Sequence, residues 1–427
     1  MFKTSKKIII SGAIGNALEM YDYAIWGLFS VFLSKEFLPP NAKLSDIFFL
    51  FLLTYVLRPI GSFLGGMLTD QIGRKKILTL SIFFMGVCTA LVGILPSYEQ
   101  IGVIAVFLLL FIRLIQVFSV GNEYISSVSL LIESCEKDKK GYFGSWAAFG
   151  VNAGTLISSL VGALVLYLIE IQLLPPWGWR IAFIFAFVTS MFGFWIRRSI
   201  PESQEFVFNN ARTPHRSLSS IFIATMNLLK HQFLESFVVF SLVLFGVSTT
   251  VLMFVYAPIH LLTVNSLSNT STFLINSSGL AVVTVLIPLM GRLSDLYGRI
   301  RIILMGIVTL LLFIIPYFIC ITSGTFYQIL LAHCLIAIPC AAIFAVIPVF
   351  ITDIFPQSLR CSITNLIYSV AACLGGGITP LIALKLGEHH DHCPSYTLIV
   401  FGLFSLVTLI LFTKKNNQQT NQLLLVD

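Results

Sequence analysis

Long apolar stretches recur along the chain, separated by short segments rich in Lys, Arg, Gly and Pro. Each is close to the roughly 20 residues that an α-helix needs to cross a bilayer. The pattern predicts twelve spans, near 11–33, 47–69, 77–96, 101–124, 142–168, 179–197, 234–260, 271–291, 302–321, 325–351, 361–384 and 395–413. The run from Ile302 to Thr352 holds no Asp, Glu, Lys or Arg, only His333, and reads as two spans turning at Thr322-Ser323-Gly324-Thr325. The longest polar segment, with Arg212, His215 and Arg216, divides the spans six and six. The expected organisation is a six-helix bundle over 1–197, a linker over 198–232, a second bundle over 233–413 and a tail over 414–427. The fold class is all-α integral membrane, with twelve transmembrane helices in two pseudo-symmetric bundles.

Composition agrees. The chain is 57% hydrophobic and 11% charged, where soluble domains run near 45–50% and 25%. It lacks the polar residues to cover a soluble globule of this size. The net charge of +7 suits a nucleic-acid binder until positions are considered. With the N-terminus inside, 20 of the 26 Lys and Arg fall in cytoplasmic segments, and the outer loops keep only Lys35, Lys43, Arg180 and Lys385. This positive-inside bias places both termini in the cytoplasm of a cell inner membrane, and the basic balance reports orientation rather than a nucleic-acid partner. Lys3, Lys6 and Lys7 imitate a signal peptide, but no small-residue cleavage site follows and Glu19 and Asp22 interrupt the apolar core. The eight cysteines form no C-x-x-C pair, so neither a disulfide framework nor a zinc cage is indicated. Glu388 to Cys393 (EHHDHC) has metal-ligand residue types without a fixed spacing. No metal and no cofactor are expected, and His333 reads as a packing residue.

The two halves repeat a motif. Gly66 to Lys76 (GMLTDQIGRKK) follows the second span and Gly291 to Arg301 (GRLSDLYGRIR) the eighth. Both fit G-x-x-x-D-x-x-G-R-x-[KR], five fixed positions in eleven, offset by 225 residues. Glycines at 66, 73, 291 and 298 allow close helix approach and sharp turns. Asp70 and Asp295, at the membrane edge, can pair with the following Arg or with a neighbouring helix N-terminus. Arg74, Lys76, Arg299 and Arg301 hold the loops inside. The motif serves either as a topogenic loop or as a breakable latch of a cytoplasmic gate, and its recurrence favours the latch.

Ionisable groups inside a bilayer cost roughly 2.5–3.5 kcal/mol each, so those within spans need a reason. They are Glu19 and Asp22 on span 1, Arg58 on span 2, and Arg113 and Glu123 on span 4; the second half has none in its span interiors. Glu19, Asp22 and Tyr23, at i, i+3 and i+4, share a helix face. Two carboxylates that close do not both ionise cheaply in a low dielectric, so one should take up a proton readily. Arg58 and Arg113 stay charged and can grip a carboxylate in a two-pronged fork. The plainer alternative is an ion pair that ties spans 1, 2 and 4 together. Glu123, a turn from the cytoplasmic end of span 4, is a candidate gate residue.

Gly15 to Gly27 (GNALEMYDYAIWG), Arg58 to Lys76 (RPIGSFLGGMLTDQIGRKK), Arg113 to Glu123 (RLIQVFSVGNE), Trp177 to Phe183 (WGWRIAF) and Asp353 to Arg360 (DIFPQSLR) occur in that order. Together they resemble the major facilitator superfamily, and within it the metabolite–proton symporters that include proline/betaine, oxoglutarate, citrate and shikimate carriers. Met20 stands where that family usually has Trp, and Val117 and Asn122 where it has Gly, so span 4 is expected to sit differently. The last dozen residues contain no heptads, so osmotic sensing is not expected.

The resemblance implies a proton-coupled symporter working by alternating access rather than an enzyme. No G-x-x-x-x-G-K-[ST] loop argues for an ATP-driven pump, and no nucleophile–base pair within the spans argues for an enzyme. Span 5, with Gly150, Gly154 and Gly162, lacks the Gly-Pro signature of antiporters. A non-transporting sensor on the same fold is the alternative of another class. Three in-span acids against two bases suit a zwitterion such as proline or betaine, or a small organic acid of the oxoglutarate, citrate or shikimate type. Tyr23, Trp26, Trp146, Phe149, Tyr256 and Tyr368 are available to face an ammonium group by cation–π attraction. Gln116 and Asn152 are candidate cavity residues that equally serve as interhelical hydrogen bonds. Partners are then a small-molecule substrate, protons and the lipid bilayer, with the chain functional as a monomer.

Overall fold

In a computed structural model of the chain, the structure describes residues 2–43, 46–47, 49–50, 52, 56–62, 74–120, 123–133, 135–198, 218–264, 267–355, 360–390 and 392–424. Every described element is helical. Span 1 is Phe2–Leu28, continued by Ser30–Phe37, and span 2 is described as helix over 56–62. Span 3 is Arg74–Ile94, span 4 is Val103–Val120 with Glu123–Glu133, span 5 is Lys140–Glu170 and span 6 is Arg180–Arg198. In the second half, span 7 runs from Phe233–Val251 through a π turn at Leu252–Tyr256 to Ala257–Val264. Span 8 is Asn269–Tyr297, span 9 Arg299–Ser323 and span 10 Phe326–Ile354. Span 11 joins Arg360–Ala372 to Thr379–Gly387 by a second π turn at Cys373–Ile378, and span 12 is Ser395–Leu424. Among the described residues eight helices are long and apolar enough to cross a membrane, and Thr79–Ile94 and Val103–Gln116 are shorter apolar helices.

Hydrophobicity locates the membrane better than it locates helix ends. Span 1 begins at Phe2 rather than near 11, and span 12 runs past Thr413 to Leu424 through Asn, Gln and Thr. The segment expected as a linker ends in a helix, Leu218–His231. Span 4 is expected to stop near 124, whereas helix is described on to Glu133. Glu123 therefore lies well before the described helical end at Glu133 rather than a turn from it. A helix needs its backbone bonds, not lipid, and polar residues continue it into water.

Small residues set the packing. A Cβ on Gly150 or Gly154 of span 5 would strike the backbone carbonyl of Ala13 or Ala17 on span 1. Bare backbone there lets the two helices touch, and without water to drive association such close contact is a main source of cohesion in a membrane. Each half has its own apolar core. The first is built on Trp26, Phe29, Phe37 and Phe183 and takes in Ile259 and Phe273 from the second half. The second half's core centres on Phe245, Phe254, Phe318 and Ile343. The end of the molecule carrying the Gly291–Arg301 motif is termed the basic end here, and the opposite one the far end.

Candidate functional site

Between the halves lies a cavity of ≈ 200 Å³, lined from spans 1, 2, 4 and 5 on one side and 7, 8, 10 and 11 on the other. The two walls differ in kind. Glu19, Tyr23, Arg58, Arg113, Asn16 and Asn152 face it from the first half, whereas Val243, Val247, Phe254, Ile343, Phe344 and Ile347 face it from the second. Tyr23 stands between the two arginines, its ring 4.5 Å from the Arg113 guanidinium and 6.0 Å from that of Arg58. Arg58 also reaches across the halves to the Tyr368 ring at 5.7 Å. Tyr368 in turn packs on Tyr124, 5.8 Å between ring centres. Aromatic faces attract cations electrostatically within about 6 Å, so the tyrosines steer the guanidinium groups and leave them charged.

The carboxylates of span 1 part company. Glu19 is on the cavity wall. Asp22 is only 1% exposed and turns to span 6, where Ser190 Oγ donates to its Oδ2 at 2.9 Å. Its Oδ1 has no hydrogen-bond partner among the described residues. Trp26, with its ring 4.9 Å from Arg113, and Gln116, which accepts from Arg113 Nη1 at 3.2 Å, stand behind the wall rather than on it. Tyr256 is away from the cavity: its hydroxyl donates to the Ala383 carbonyl at 3.2 Å and ties span 7 to span 11. Neither Trp146 nor Phe149 lines the cavity; they pack on each other at 4.8 Å. Of the six aromatics singled out by sequence, Tyr23 and Tyr368 reach it.

Sequence reasoning missed several wall residues. Asn16 donates to Ser127 Oγ at 3.1 Å and to the Ala147 carbonyl at 3.2 Å, pinning span 1 to spans 4 and 5. Tyr124 and Phe254 gave no signal beyond being aromatic in an aromatic-rich chain. Gly376 lies in the π turn of span 11 and lines the cavity; the run Gly375-Gly376-Gly377 was the available hint.

At the basic end the second-half motif acts on span 5. The Asp295 carboxylate accepts from the backbone N–H of Gly141 at 2.7 Å and of Tyr142 at 2.8 Å. Of the two partners the sequence allowed, it takes the helix N-terminus, where the macrodipole favours an anion. Gly141 and Gly291 make this possible, since a Cβ on Gly141 would stand within 2.6 Å of the Gly291 carbonyl, Ser294 Oγ and Asp295. Gly298, at φ +92°, turns the chain from span 8 into span 9. Arg299 pairs with Asp353, which also takes Lys140 of the first half at 3.2 Å. Asp353 is the first charge after the long uncharged run, a signal that sequence reading passed over. Arg301 is exposed. Cys135 is half-buried next to this cluster, and burial pushes its thiol up to about 11. Gly66, Asp70 and Gly73 lie outside the described residues, as do the side chains of Arg74, Lys76 and Glu123.

The far end is held differently. Phe273 of span 8 packs on Phe29 of span 1 at 5.6 Å. Asn276 Nδ2 donates to Ser159 Oγ at 3.3 Å, and Ser159 to the Phe273 carbonyl at 3.4 Å. Glu170, at the end of span 5, accepts one exposed backbone N–H, from Thr270, at 3.2 Å.

Two helical halves in contact around a central cavity with a charged wall are the arrangement of a multi-pass membrane transporter. The chain matches the family model for the sugar (and other) transporter over residues 8–222 and that of the major facilitator superfamily over 238–423. It belongs to the major facilitator superfamily. A putative proline/betaine transporter of Staphylococcus aureus (strain MSSA476) is 29% identical over 388 residues, covering 90% of this chain and 82% of the relative. The proline/betaine transporter of Escherichia coli (strain K12) is 28% identical, covering 97% and 84%. The glycine betaine/proline/ectoine/pipecolic acid transporter OusA of Dickeya dadantii (strain 3937) is also 28% identical, with the same coverage. The fold matches the solved D-xylose–proton symporter at a TM-score of 0.73 and 17% identity, covering 96% of this chain and 97% of that one. A partially occluded, inward-open form of the xylose transporter XylE from E. coli gives 0.72 at 18% identity, with the same coverage.

Proposed function

We propose that this transporter is a proton-coupled symporter of a small zwitterionic solute such as proline or betaine. Its termini lie in the cytoplasm of a cell inner membrane, and the bundles 1–197 and 233–413, joined by the 198–232 linker, rock about the cavity. The observation that carries this is the asymmetric cavity: among the described residues, every carboxylate and guanidinium on its wall is on the first half. Arg58 and Arg113 take the solute carboxylate, and Tyr23 and Tyr368 offer aromatic faces to its ammonium. Glu19 on the wall and Asp22 behind it exchange the proton. The Asp295 cluster, and by repetition the Gly66–Lys76 motif, hold the cytoplasmic gate. The names borne by the relatives support the same substrate class.

One observation favours a second reading. With Asp22 turned away, the wall carries two guanidinium groups against one carboxylate, and that surplus suits a small organic anion. Uptake of labelled proline, betaine, oxoglutarate and citrate into vesicles of purified protein, with and without an inward proton gradient, decides. Gradient-stimulated uptake of proline or betaine is the expected result. Stimulated uptake of an organic acid alone replaces the zwitterion reading, and uptake indifferent to the gradient rejects proton coupling. In Asp22→Asn, gradient-driven accumulation should vanish; if it persists, Asp22 is not a coupling residue.

A further inference from the structure

Behind the charged wall a chain of buried side chains runs from Arg113 to span 3. Arg113 Nη1 donates to Gln116 Oε1 at 3.2 Å, and Gln116 Nε2 donates to Thr89 Oγ1 at 2.7 Å. The Thr89 hydroxyl then donates to the Met85 carbonyl at 2.9 Å. Gln116 and Thr89 are both 0% exposed, so their polar atoms need partners within the protein.

The last link sets the direction of the whole chain. A hydroxyl has one hydrogen. Thr89 uses it on the Met85 carbonyl, one turn back on its own helix, and toward Gln116 it can only accept. That requires the amino face of the Gln116 amide on the Thr89 side. The amide oxygen is then turned to Arg113, whose guanidinium has donors and no acceptor. Reversing the amide would set donor against donor at Arg113. No carboxylate takes part in these links, so they orient the guanidinium without neutralising it. Arg113, 4% exposed, lines the cavity with its guanidinium over Tyr23 and Trp26.

We propose that Thr89 is a positioning residue of the binding site, holding the Arg113 guanidinium toward the cavity through Gln116. The step from orientation to solute binding rests on the reading of Arg113 as the carboxylate-binding group.

The test compares Thr89→Val, which keeps the shape and removes the hydroxyl, with Thr89→Ser, which keeps the hydroxyl. The first readout is the rate at which phenylglyoxal modifies Arg113 in purified full-length protein, followed by peptide mass spectrometry and requiring no substrate. Thr89→Val should change that rate about threefold or more, with Thr89→Ser at the wild-type value. The second readout is gradient-driven uptake of labelled proline and betaine. KM should rise about fivefold in Thr89→Val, the factor a net hydrogen bond is worth, with the maximal rate within twofold and Thr89→Ser restored. A change in KM alone marks lost binding rather than a damaged transport step. An unchanged Arg113 modification rate in Thr89→Val overturns the proposal whatever the uptake. A changed rate with unchanged KM removes the link to binding. If the wild type carries neither solute while the modification rate still responds to Thr89→Val, the positioning stands and the substrate reading falls. Should Thr89→Val fail to fold, Gln116→Met, which keeps the length and removes both amide bonds, carries the same test.

Discussion

At the basic end, spans 5 and 8 meet through a carboxylate set on two backbone amides at 2.7 and 2.8 Å, backed by the ion pairs of Asp353. At the far end the same two spans meet through one exposed bond at 3.2 Å and neutral links to Ser159 from Asn276 at 3.3 Å and Ser277 at 2.8 Å, with Phe273 of span 8 also packed on Phe29 of span 1. Each helix thus ends on a carboxylate facing the other's start, and only one of the two grips firmly. Charge holds the halves together at the basic end, and packing with neutral hydrogen bonds holds them at the far end. Charge acts at a distance and weakens with salt, whereas ring contacts are lost within a small separation. The two ends should therefore respond to different perturbations.

A single reporter can read both ends: Thr155→Cys on the cavity wall, labelled by a membrane-impermeant maleimide from either face of sealed vesicles. The largest effect should come from Gly141→Ala. Its methyl enters a space already filled by Gly291, Ser294 and Asp295, and overpacking costs about 1–3 kcal/mol before the displaced carboxylate is counted. Labelling from the basic side should rise roughly thirtyfold, since each 1.4 kcal/mol is about tenfold. Asp295→Asn should follow at about tenfold, because charge-assisted bonds are roughly twice as strong as neutral ones. Cys135, poorly reactive at neutral pH while its thiol is pushed up to about 11, should label faster in the same variant. Phe273→Ala should open the other face, with labelling from the far side up about fivefold for the loss of an aromatic pair. Glu170→Gln should change either rate by less than about twofold, as an exposed interaction does. Equal effects of Asp295→Asn and Glu170→Gln would end the distinction between the two ends.

Much of this was readable in advance, and the unread parts have physical causes. Apolar runs marked the spans because lipid tolerates little else. The repeat marked Asp295 but left it a choice of partners, which only the approach of Gly141 to Gly291 decides. Glu19 and Asp22 share a face in the loose sense of i, i+3, yet at about 100° per residue they diverge by about 60°. That angle is enough to send one to the cavity and the other to Ser190. Tyr23 and Tyr256 look alike along the chain. Which of them meets the cavity depends on a neighbour 127 positions away, the Ala383 carbonyl of span 11, which takes the Tyr256 hydroxyl. The Thr89–Gln116 link joins residues 27 positions apart, with no pattern to announce it.

The second half offers its wall no charge, but it has slack. The π turns at Leu252–Tyr256 and Cys373–Ile378 each hold an extra residue beside the cavity. Passing that residue along would relax the turn to ordinary helix, advancing the next stretch about 1.5 Å and rotating it about 100°. Phe254 rides on one such turn and Gly376 on the other. The apolar wall can therefore be re-tailored by spooling backbone through two short windings, a change of fit that needs no hinge and no titrating group.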